Sequence, residues 1–257
     1  AAITGVAMTL LEPGKRLVVG NATYGGATHL FTQILPHWGV DVVMVPSLDE
    51  GAFKEAIKDG CDLLYLESPS NPLLTLQDIR KLSDWAHQAG ATVVIDNTVA
   101  TPINQRPLSL GADVVIHSAT KFLGGHADAL GGVVACDGER ASRLRAHRDI
   151  FGACLEPMSA YLIGRGMRTL ELRMERHNNN ARLLASHLAV HPQVETVYHP
   201  SLPTHSGHEL AKKQMEGFGA LLSFELKSGA VSLAETLARF DLAQLASTLG
   251  SVDTLVG

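Results

Sequence analysis

Residues 92–121, TVVIDNTVATPINQRPLSLGADVVIHSATK, contain two apolar runs that each end in polar side chains. The run 92–95 leads into Asp96, and the run 114–116 leads through a serine and a threonine to Lys121. Continuous runs rich in Val and Ile predict strands that are buried on both faces of a parallel sheet. Because parallel strands end at the same edge of a sheet, we expect these polar groups to converge there.

The chain before this stretch repeats the same pattern. Three more apolar runs predict strands, and the segments between them have the apolar spacing of helices. The predicted strands are 16–20, 42–45 and 63–66, and the predicted helices are 28–38, 50–58 and 76–89. Alternating strands and helices predict an α/β domain with a mostly parallel sheet. The third strand leads into the segment ESPSNP (67–72), which adds another polar strand end to that edge.

From about Gly166 the regular alternation stops. A long helix is predicted from 169 to about 190, followed by strands at 194–198 and 220–226. We therefore predict a large domain over residues 1–170 and a partial C-terminal α+β domain over residues 171–257. The chain begins inside an apolar helix and ends abruptly, so we expect the natural protein to extend beyond both ends.

The composition excludes several classes of function. Hydrophobic residues make up 46% and charged residues 18%, the balance of a globular protein. A net charge of -5 gives no basic surface for nucleic acid or an anionic membrane, and no apolar run is long enough to span a bilayer. Cys61, Cys136 and Cys154 lack C-x-x-C spacing, which predicts reduced and buried thiols in a cytoplasmic protein.

The polar strand ends match what pyridoxal phosphate (PLP) requires of a protein. The cofactor needs an amine for a Schiff base, a carboxylate for its pyridinium nitrogen, donors for its phosphate and a flat partner for its ring. Lys121 offers the amine, because burial lowers a lysine pKa towards a nucleophilic value. Asp96 offers the carboxylate, which keeps the ring nitrogen protonated and electron-withdrawing.

Residues around the same edge offer the remaining contacts. Ser118 and Thr120 carry hydroxyls for the phosphate. Tyr24, which precedes two glycines, can stack on one ring face, with Thr98 on the other, and Asn71 can donate to the ring oxygen. Each residue type also occurs as a helix cap, a turn residue or a solvated surface residue. Their order along the chain is what favours the cofactor.

The segment 96–132 resembles the Cys/Met-metabolism family of PLP-dependent enzymes, which have fold type I. Three other stretches match that family in the same order: Tyr24-Gly25-Gly26, ESPSNP (67–72) and GMRTLELRMERH (166–177). The chain ends with STLGSVDTLV (247–256), close to a further family segment. The family includes cystathionine γ-synthase, cystathionine γ-lyase, methionine γ-lyase and homoserine-ester sulfhydrylases. The resemblance covers nearly the whole chain and implies a mostly parallel sheet of the seven-stranded type.

The resemblance implies the same cofactor contacts and adds catalytic roles. Lys121 forms the Schiff base and moves the substrate's protons, and Tyr24 helps the leaving group to depart. Thr248 stands where the family usually has Ser, and Ser247 stands where cystathionine enzymes tend to have Glu, so both are candidate substrate contacts. Gly26 stands where methionine γ-lyases typically have Cys. The family's N-terminal arm and its substrate-carboxylate Arg do not occur in this chain.

These features imply PLP-dependent β/γ-elimination or γ-replacement on sulfur-containing amino acids or activated homoserine. The expected partners are a small amino-acid substrate and other copies of the chain, in a homotetramer of two dimers whose neighbouring subunits complete each site. The alternative is a non-catalytic subunit or fragment that keeps the fold without the chemistry. The intact Lys121 and Asp96 argue against it.

A metal site in the later region is a second alternative. His187 and His191 are four residues apart on a predicted helix, which is a spacing that can bind zinc. His199, His205 and His208 follow, but no cysteine or paired carboxylate joins them at ligand spacing. We therefore predict that these are surface histidines and that the protein holds no metal.

Overall fold

A central sheet organises the first half of the chain. The computed structural model describes residues 1–229 and 232–257. Within these residues, six strands form one sheet in the order β2-β1-β3-β4-β5-β6. The first five strands run parallel, and β6 is antiparallel to β5. The strands are β1 (Arg16–Gly20), β2 (Asp41–Val45), β3 (Leu63–Glu67), β4 (Thr92–Asp96), β5 (Val114–Ser118) and β6 (Gly132–Cys136).

Helices cover both faces of this sheet. On one face, Val6 and Phe31 pack with Tyr65 of β3, and on the other, Phe53 and Leu82 pack against the sheet. Strands covered on both sides bury consecutive residues, which is why their sequences are continuously apolar. The helices of this part are α1 (Ala2–Leu10), α2 (Gly25–His29), α3 (Glu50–Lys58), α4 (Ile79–Gln88), α5 (Thr101–Asn104), α6 (Gly138–Phe151), α7 (Pro157–Met167) and α8 (Leu170–Leu188).

Aspartate caps determine where three of these helices begin. The carboxylate of Asp49 accepts the N–H of Ala52 at 2.9 Å, and that of Asp78 accepts the N–H of Lys81 at 3.0 Å. Asp137 caps α6 in the same way. Each cap satisfies an amide that has no partner inside its helix and contributes about 1 kcal/mol. The predicted helix at 76–89 therefore begins only after Asp78.

The sheet differs from the prediction in two respects. It has six strands among the described residues rather than seven, and one of them, β6, lies in a stretch for which no strand is predicted. The predicted helix at 28–38 consists of α2, a π-helical turn (Leu30–Ile34) and a 3₁₀ turn (Leu35–Trp38). Pro36 lies in this last turn, where its missing N–H cannot continue an α-helix. The five predicted parallel strands are all present.

The later region contains a small antiparallel sheet beside α8. Its strands β7 (Val194–Tyr198) and β8 (Ser223–Leu226) pair with one bulge at Val194/Thr196. The strand predicted from residue 220 begins three residues later, at Ser223. Val194 and Val197 share an apolar cluster with Ala185 of α8. The remaining elements are α9 (His208–Gln214), α10 (Leu233–Leu237), β9 (Gln244–Leu245) and β10 (Leu255–Val256).

Two predictions about burial are wrong. His199 and His205, predicted at the surface, are only 0% and 7% exposed. Their rings are buried because they are hydrogen-bonded: His199 Nδ1 lies 2.7 Å from Ser201 Oγ, and His205 Nε2 lies 3.3 Å from Leu73 O. Cys154, predicted to be buried, is exposed.

Two further observations concern membranes and metals. In residues 1–229 and 232–257, no helix combines the length and the apolar character needed to cross a bilayer. The same residues contain no group of three His, Cys, Asp or Glu side chains arranged to hold a metal ion.

Candidate active site

Three strand ends lie side by side at one edge of the sheet. The register pairs Glu67, the last residue of β3, with Asp96, the last residue of β4. Asp96 in turn pairs with Ile116 of β5, and Asn97 N–H donates to the carbonyl of Ile116 at 2.8 Å. In an open α/β sheet this edge is where ligands bind.

Asp96 is the centre of a hydrogen-bonded chain that joins two strand ends. It is 7% exposed, and its Oδ1 accepts the N–H of Thr98 at 2.9 Å and the Thr98 hydroxyl at 2.5 Å. The same hydroxyl accepts the N–H of Ser118 at 2.8 Å. Burial raises the Asp96 pKa above its ordinary value, although the two bonds from Thr98 oppose that effect. We call Glu67, Asp96, Thr98 and Ser118 the floor of the site.

Lys121 lies on the turn that follows β5. This turn (Ala119–Leu123) is a π-helical turn in which Lys121 itself has non-helical angles, φ -94 and ψ -129. Its Nζ donates to Thr248 Oγ1 at 2.7 Å. Partial burial lowers the pKa of the amine from its ordinary value, in the direction expected for a nucleophilic lysine.

Two later segments hold this turn from behind. The guanidinium of Arg173 donates to the carbonyls of Phe122 at 2.7 Å and Gly166 at 2.8 Å. Gly250 packs against the turn with φ +87, and a Cβ there would lie 2.6 Å from the Phe122 nitrogen. Only glycine fits a position with both constraints. The lysine is therefore placed by residues far away in the sequence.

The residues predicted for a phosphate lie at the amino end of this turn. Ser118 pairs with Gly132 of β6, and Thr120 Oγ1 accepts the N–H of Gly131 at 3.1 Å. Ala2, in the first turn of α1, lies against Gly132, since a Cβ on that glycine would be 2.6 Å from the Ala2 Cβ. A helix N-terminus near two hydroxyls is an arrangement that attracts anions.

Four of the residues predicted for the site are exposed, and we call them the rim: Tyr24, Asn71, Ser247 and Thr248. Tyr24 immediately precedes α2, and its ring is 64% exposed. Asn71 lies on the loop after β3, which is held from outside by a bond from Ser223 Oγ to Pro72 O at 2.6 Å. The structure thus separates a buried floor from an exposed rim.

A cavity of about 730 Å³ lies next to two neighbours of Lys121, although Lys121 itself does not line it. Thr120 and Thr248 line it, together with Asp128, Cys154 and Glu156. Its volume is within the range of small-molecule sites. Of the two predicted substrate contacts, Thr248 therefore touches both the lysine and the cavity.

The floor fits the cofactor that the sequence predicts. Glu67 and Asp96 are buried carboxyl groups on neighbouring strands, and no Lys, Arg or His among the described residues forms an ion pair with either. Buried carboxylates are strongly destabilised without a cation or hydrogen-bond donors. A protonated ring nitrogen would supply the cation for Asp96.

Three residues of the site are missed by sequence reasoning. Glu67 is recognisable as a strand-end carboxylate, but the sequence gives it no partner. Arg173 lies on a helix with many charged residues, and nothing in its spacing distinguishes it from a solvated side chain. Gly250 is one of 24 glycines, and only its contact with the Lys121 turn reveals its role.

A mostly parallel α/β sheet that presents an amine and a buried carboxylate at one edge is the arrangement of PLP-dependent enzymes of fold type I. Comparison with known proteins narrows this class. The Cys/Met metabolism PLP-dependent enzyme family matches residues 1–257, and the chain belongs to it.

The relatives are named after different activities. The chain is 43% identical to an L-methionine gamma-lyase of Fusobacterium nucleatum subsp. polymorphum, over 99% of this chain and 65% of that protein. It is 40% identical to a cystathionine gamma-synthase of Mycobacterium leprae, over 96% of this chain and 64% of that protein. A crystal structure of cystathionine gamma synthase from Xanthomonas oryzae pv. oryzae matches with a TM-score of 0.96 and 38% identity, covering 99% of this chain and 66% of that one. The chain thus spans about 65% of the length of these curated relatives.

Proposed function

We propose that this chain forms the cofactor-binding part of an enzyme that catalyses β/γ-elimination or γ-replacement on sulfur-containing amino acids or activated homoserine. The observation that carries the proposal is the buried Asp96 carboxylate, without a cationic partner among the described residues, beside the strand that leads to Lys121. When bound, PLP supplies an electron sink for negative charge on the substrate carbons. Asp96 would hold the ring nitrogen in its protonated form.

Lys121 has two tasks in this proposal. Burial lowers its pKa, so a larger fraction of the amine is neutral and able to bind the cofactor covalently. With the cofactor bound, the neutral amine would take the proton from the substrate Cα and shuttle it, and removal of a second proton at Cβ would allow a γ-substituent to leave. Thr248 Oγ1, 2.7 Å from Nζ, orients the amine for both tasks.

Tyr24 and Asn71 would act from the rim. The exposed Tyr24 ring is free to stack on the cofactor, and its hydroxyl can exchange a proton with the departing group. The Asn71 amide can donate to the ring oxygen. Ser118, Thr120 and the first turn of α1 would hold the phosphate, and Thr98 supports Asp96 from below one ring face.

The substrate is proposed only as a class. Relatives with about 40% identity are named after methionine and cystathionine, which differ in the group that leaves. Ser247 offers no carboxylate to the distal ammonium group of cystathionine, which favours a substrate without that group. A non-catalytic role is disfavoured, because Lys121 and Asp96 retain the contacts that the chemistry needs.

The assembly, compartment and domain boundary are also proposals. Leu130, Ile150, Phe151 and Tyr161 are large apolar side chains exposed at 63% or more, which supports a homotetramer of two dimers whose neighbouring subunits complete each site. Three free cysteines favour the cytoplasm. The boundary near residue 170 coincides with the start of α8.

An absorption spectrum of the purified protein before and after borohydride tests the cofactor. We expect a visible band that borohydride removes, and a reduced adduct on the peptide that contains Lys121 by mass spectrometry. A screen of methionine, cystathionine, cysteine and homoserine esters for 2-oxo acid formation and thiol replacement then tests the reaction. A cofactor band with no turnover of any of them would support the non-catalytic alternative instead.

A further inference from the structure

Glu67 is a buried acid for which the reaction proposed above has no use. It is 8% exposed and ends β3 directly beside Asp96 on β4. Burying a second acid next to Asp96 is unfavourable, so its presence calls for a compensating contact. That contact comes from outside the sheet: the backbone N–H of Tyr24 donates to Glu67 Oε2 at 2.7 Å.

The bond lies at a point that controls the direction of the Tyr24 ring. Tyr24 is the residue before α2, with φ -47 and ψ 130, and its side chain makes no cap bond with that helix. The ring is 64% exposed, so little packing holds it. It lies over Gly26, where a Cβ would be 2.5 Å from Tyr24 Cε1. The direction of the ring therefore depends on the Tyr24 backbone, which Glu67 holds at its N–H and the amides of Ala27 and Thr28 hold at its carbonyl.

We propose that Glu67 is a positioning residue of the active site, whose buried carboxyl group anchors the Tyr24 backbone and thereby places the Tyr24 ring over the cofactor bound at Asp96. This inference rests on the proposed function, since it requires that the cofactor binds between Tyr24 and Asp96. Glu67 touches neither cofactor nor substrate in this role. Glu67, a residue of the floor, acts only by holding Tyr24, a residue of the rim.

The charge state of Glu67 is consistent with this role. Burial, and next the charge of Asp96, raise the Glu67 pKa to about 8. The groups that face it are Asp96 on β4 and the backbone of Tyr24, and the buried phenol of Tyr65 lies near both carboxyl groups. A neutral carboxyl still accepts the Tyr24 N–H through its carbonyl oxygen. A neutral Glu67 also adds no second negative charge beside Asp96, which suits a single ring cation.

Three variants of Glu67 distinguish the position of its acceptor oxygen from the charge of its carboxyl group. E67Q keeps a neutral acceptor at the same distance, and E67L removes the acceptor. E67D keeps the acid but withdraws its oxygens by about 1.5 Å, the length of one carbon–carbon bond. The measurements are the dissociation constant of pyridoxal 5'-phosphate and the visible circular dichroism of the bound cofactor, which reports the orientation of its ring against Tyr24.

We expect E67L and E67D to weaken cofactor binding about tenfold or more and to change the circular dichroism, the effect of one lost buried hydrogen bond. E67Q should stay within about threefold of wild type. Wild-type binding and dichroism in both E67L and E67D would overturn the inference. A loss of cofactor affinity in E67Q as large as that in E67L would also overturn the inference, because the charge of Glu67 rather than the position of its acceptor oxygen would then be what matters. If E67L does not fold, E67D carries the test, because it retains a buried acid.

A double-mutant cycle with Y24A shows whether Glu67 acts through Tyr24. If it does, the loss of affinity in Y24A/E67D is much smaller than the product of the two single losses. Independent, multiplying losses would overturn the inference. A wild-type protein with no cofactor band would overturn the proposed function and this inference together, whereas a normal wild-type band with an unaltered E67D would overturn this inference alone.

Discussion

The floor and the rim of the site are held by different forces. Asp96 and Thr98 are fixed by strand register, by two hydrogen bonds between them and by one from Ser118 on the neighbouring strand. Tyr24 and Asn71 are exposed: the Tyr24 backbone is held by Glu67 and by the first turn of α2, and the Asn71 loop is held by Ser223. The floor cannot change without disturbing the sheet, whereas the rim can. This contrast explains how relatives with about 40% identity can share a cofactor and carry different names for their reactions.

The largest effect is expected where floor and rim meet, at Lys121. K121A removes the amine that we propose binds the cofactor covalently, so the visible band should disappear completely. K58A, at an exposed position at the end of α3, is the matched control and should keep the band. A band that persists in K121A, measured by absorption under the same reconstitution, would assign the cofactor to another lysine.

The next effect tests the electrostatic part of the floor. D96N keeps the shape of the side chain but cannot hold a ring nitrogen in its cationic form, so turnover should fall by about a thousandfold or more while the cofactor still binds. D84N, on the exposed side of α4, should leave turnover unchanged. Steady-state rates of 2-oxo acid release measure both. Turnover of D96N within about tenfold of wild type would remove the electron-sink role from the floor.

Acid should lower the stability of the fold through His199, which follows β7. His199 is buried and neutral, and burial lowers its pKa from 6.5 to about 4. The unfolded chain therefore binds more protons between these values, and the free energy of unfolding should fall as pH drops from 6.5 towards 4, by on the order of 3 kcal/mol. Glu67 contributes with the opposite sign, because its raised pKa stabilises the folded state as pH falls from about 8 towards its ordinary value of 4.5.

Urea unfolding at about pH 7 and about pH 4 measures this effect by difference. H199N should lose part of the pH dependence, whereas H187N, at an exposed position, should behave as wild type. The Glu67 contribution is the same in all three proteins and cancels. Equal pH dependence in H199N and wild type would show that His199 does not couple acid to stability.

Gly250 offers a smaller test of how the lysine is held from behind. G250A combines a positive φ with a contact that must move the Lys121 turn, so we expect a loss of about 2–3 kcal/mol of stability and weaker cofactor binding. G152A has a similar φ of +73 but nothing within 4 Å, and should lose only about 1 kcal/mol with unchanged cofactor binding. Equal effects of the two substitutions on cofactor binding would mean that the contact at Gly250 is unimportant.

The smallest effect is expected on the rim. S247E places an exposed carboxylate where cystathionine enzymes tend to have one, and it should raise the preference for cystathionine over methionine about fivefold, the value of an exposed ion pair. S228E, outside the site, is the control for added charge. The ratio of kcat/KM for the two substrates is the measurement. A change of several hundredfold would show that the rim is as constrained as the floor.

Asp96, Thr98 and Ser118 of the floor could be anticipated from the sequence because their positions depend on local patterns, whereas the role of Glu67 could not. Continuous apolar runs give the strands, and the polar residues that follow each run, such as Asp96 after 92–95 and Ser118 two residues after 114–116, lie at the sheet edge. The residues of the rim were predicted from the sequence, but their positions were not. Ser223 holds the loop of Asn71 and Glu67 holds the backbone of Tyr24, and the sequence spacing does not predict either contact. The buried state of His199 and His205 escaped for the same reason: a histidine-rich loop predicts a solvated surface unless its hydrogen-bond partners are known.

The sequence by itself determined the α/β class and the strand-end groups, because apolar periodicity is a local property, and its resemblance to the Cys/Met-metabolism family indicated the cofactor. Only the tertiary structure decided which groups meet: Glu67 with the Tyr24 backbone, Thr248 with Lys121, and Arg173 and Gly250 with the turn that carries the lysine. Such contacts join residues from about 40 to about 130 positions apart. They form because packing and buried hydrogen bonds offset the entropy of closing long loops, and that balance is a property of the whole fold.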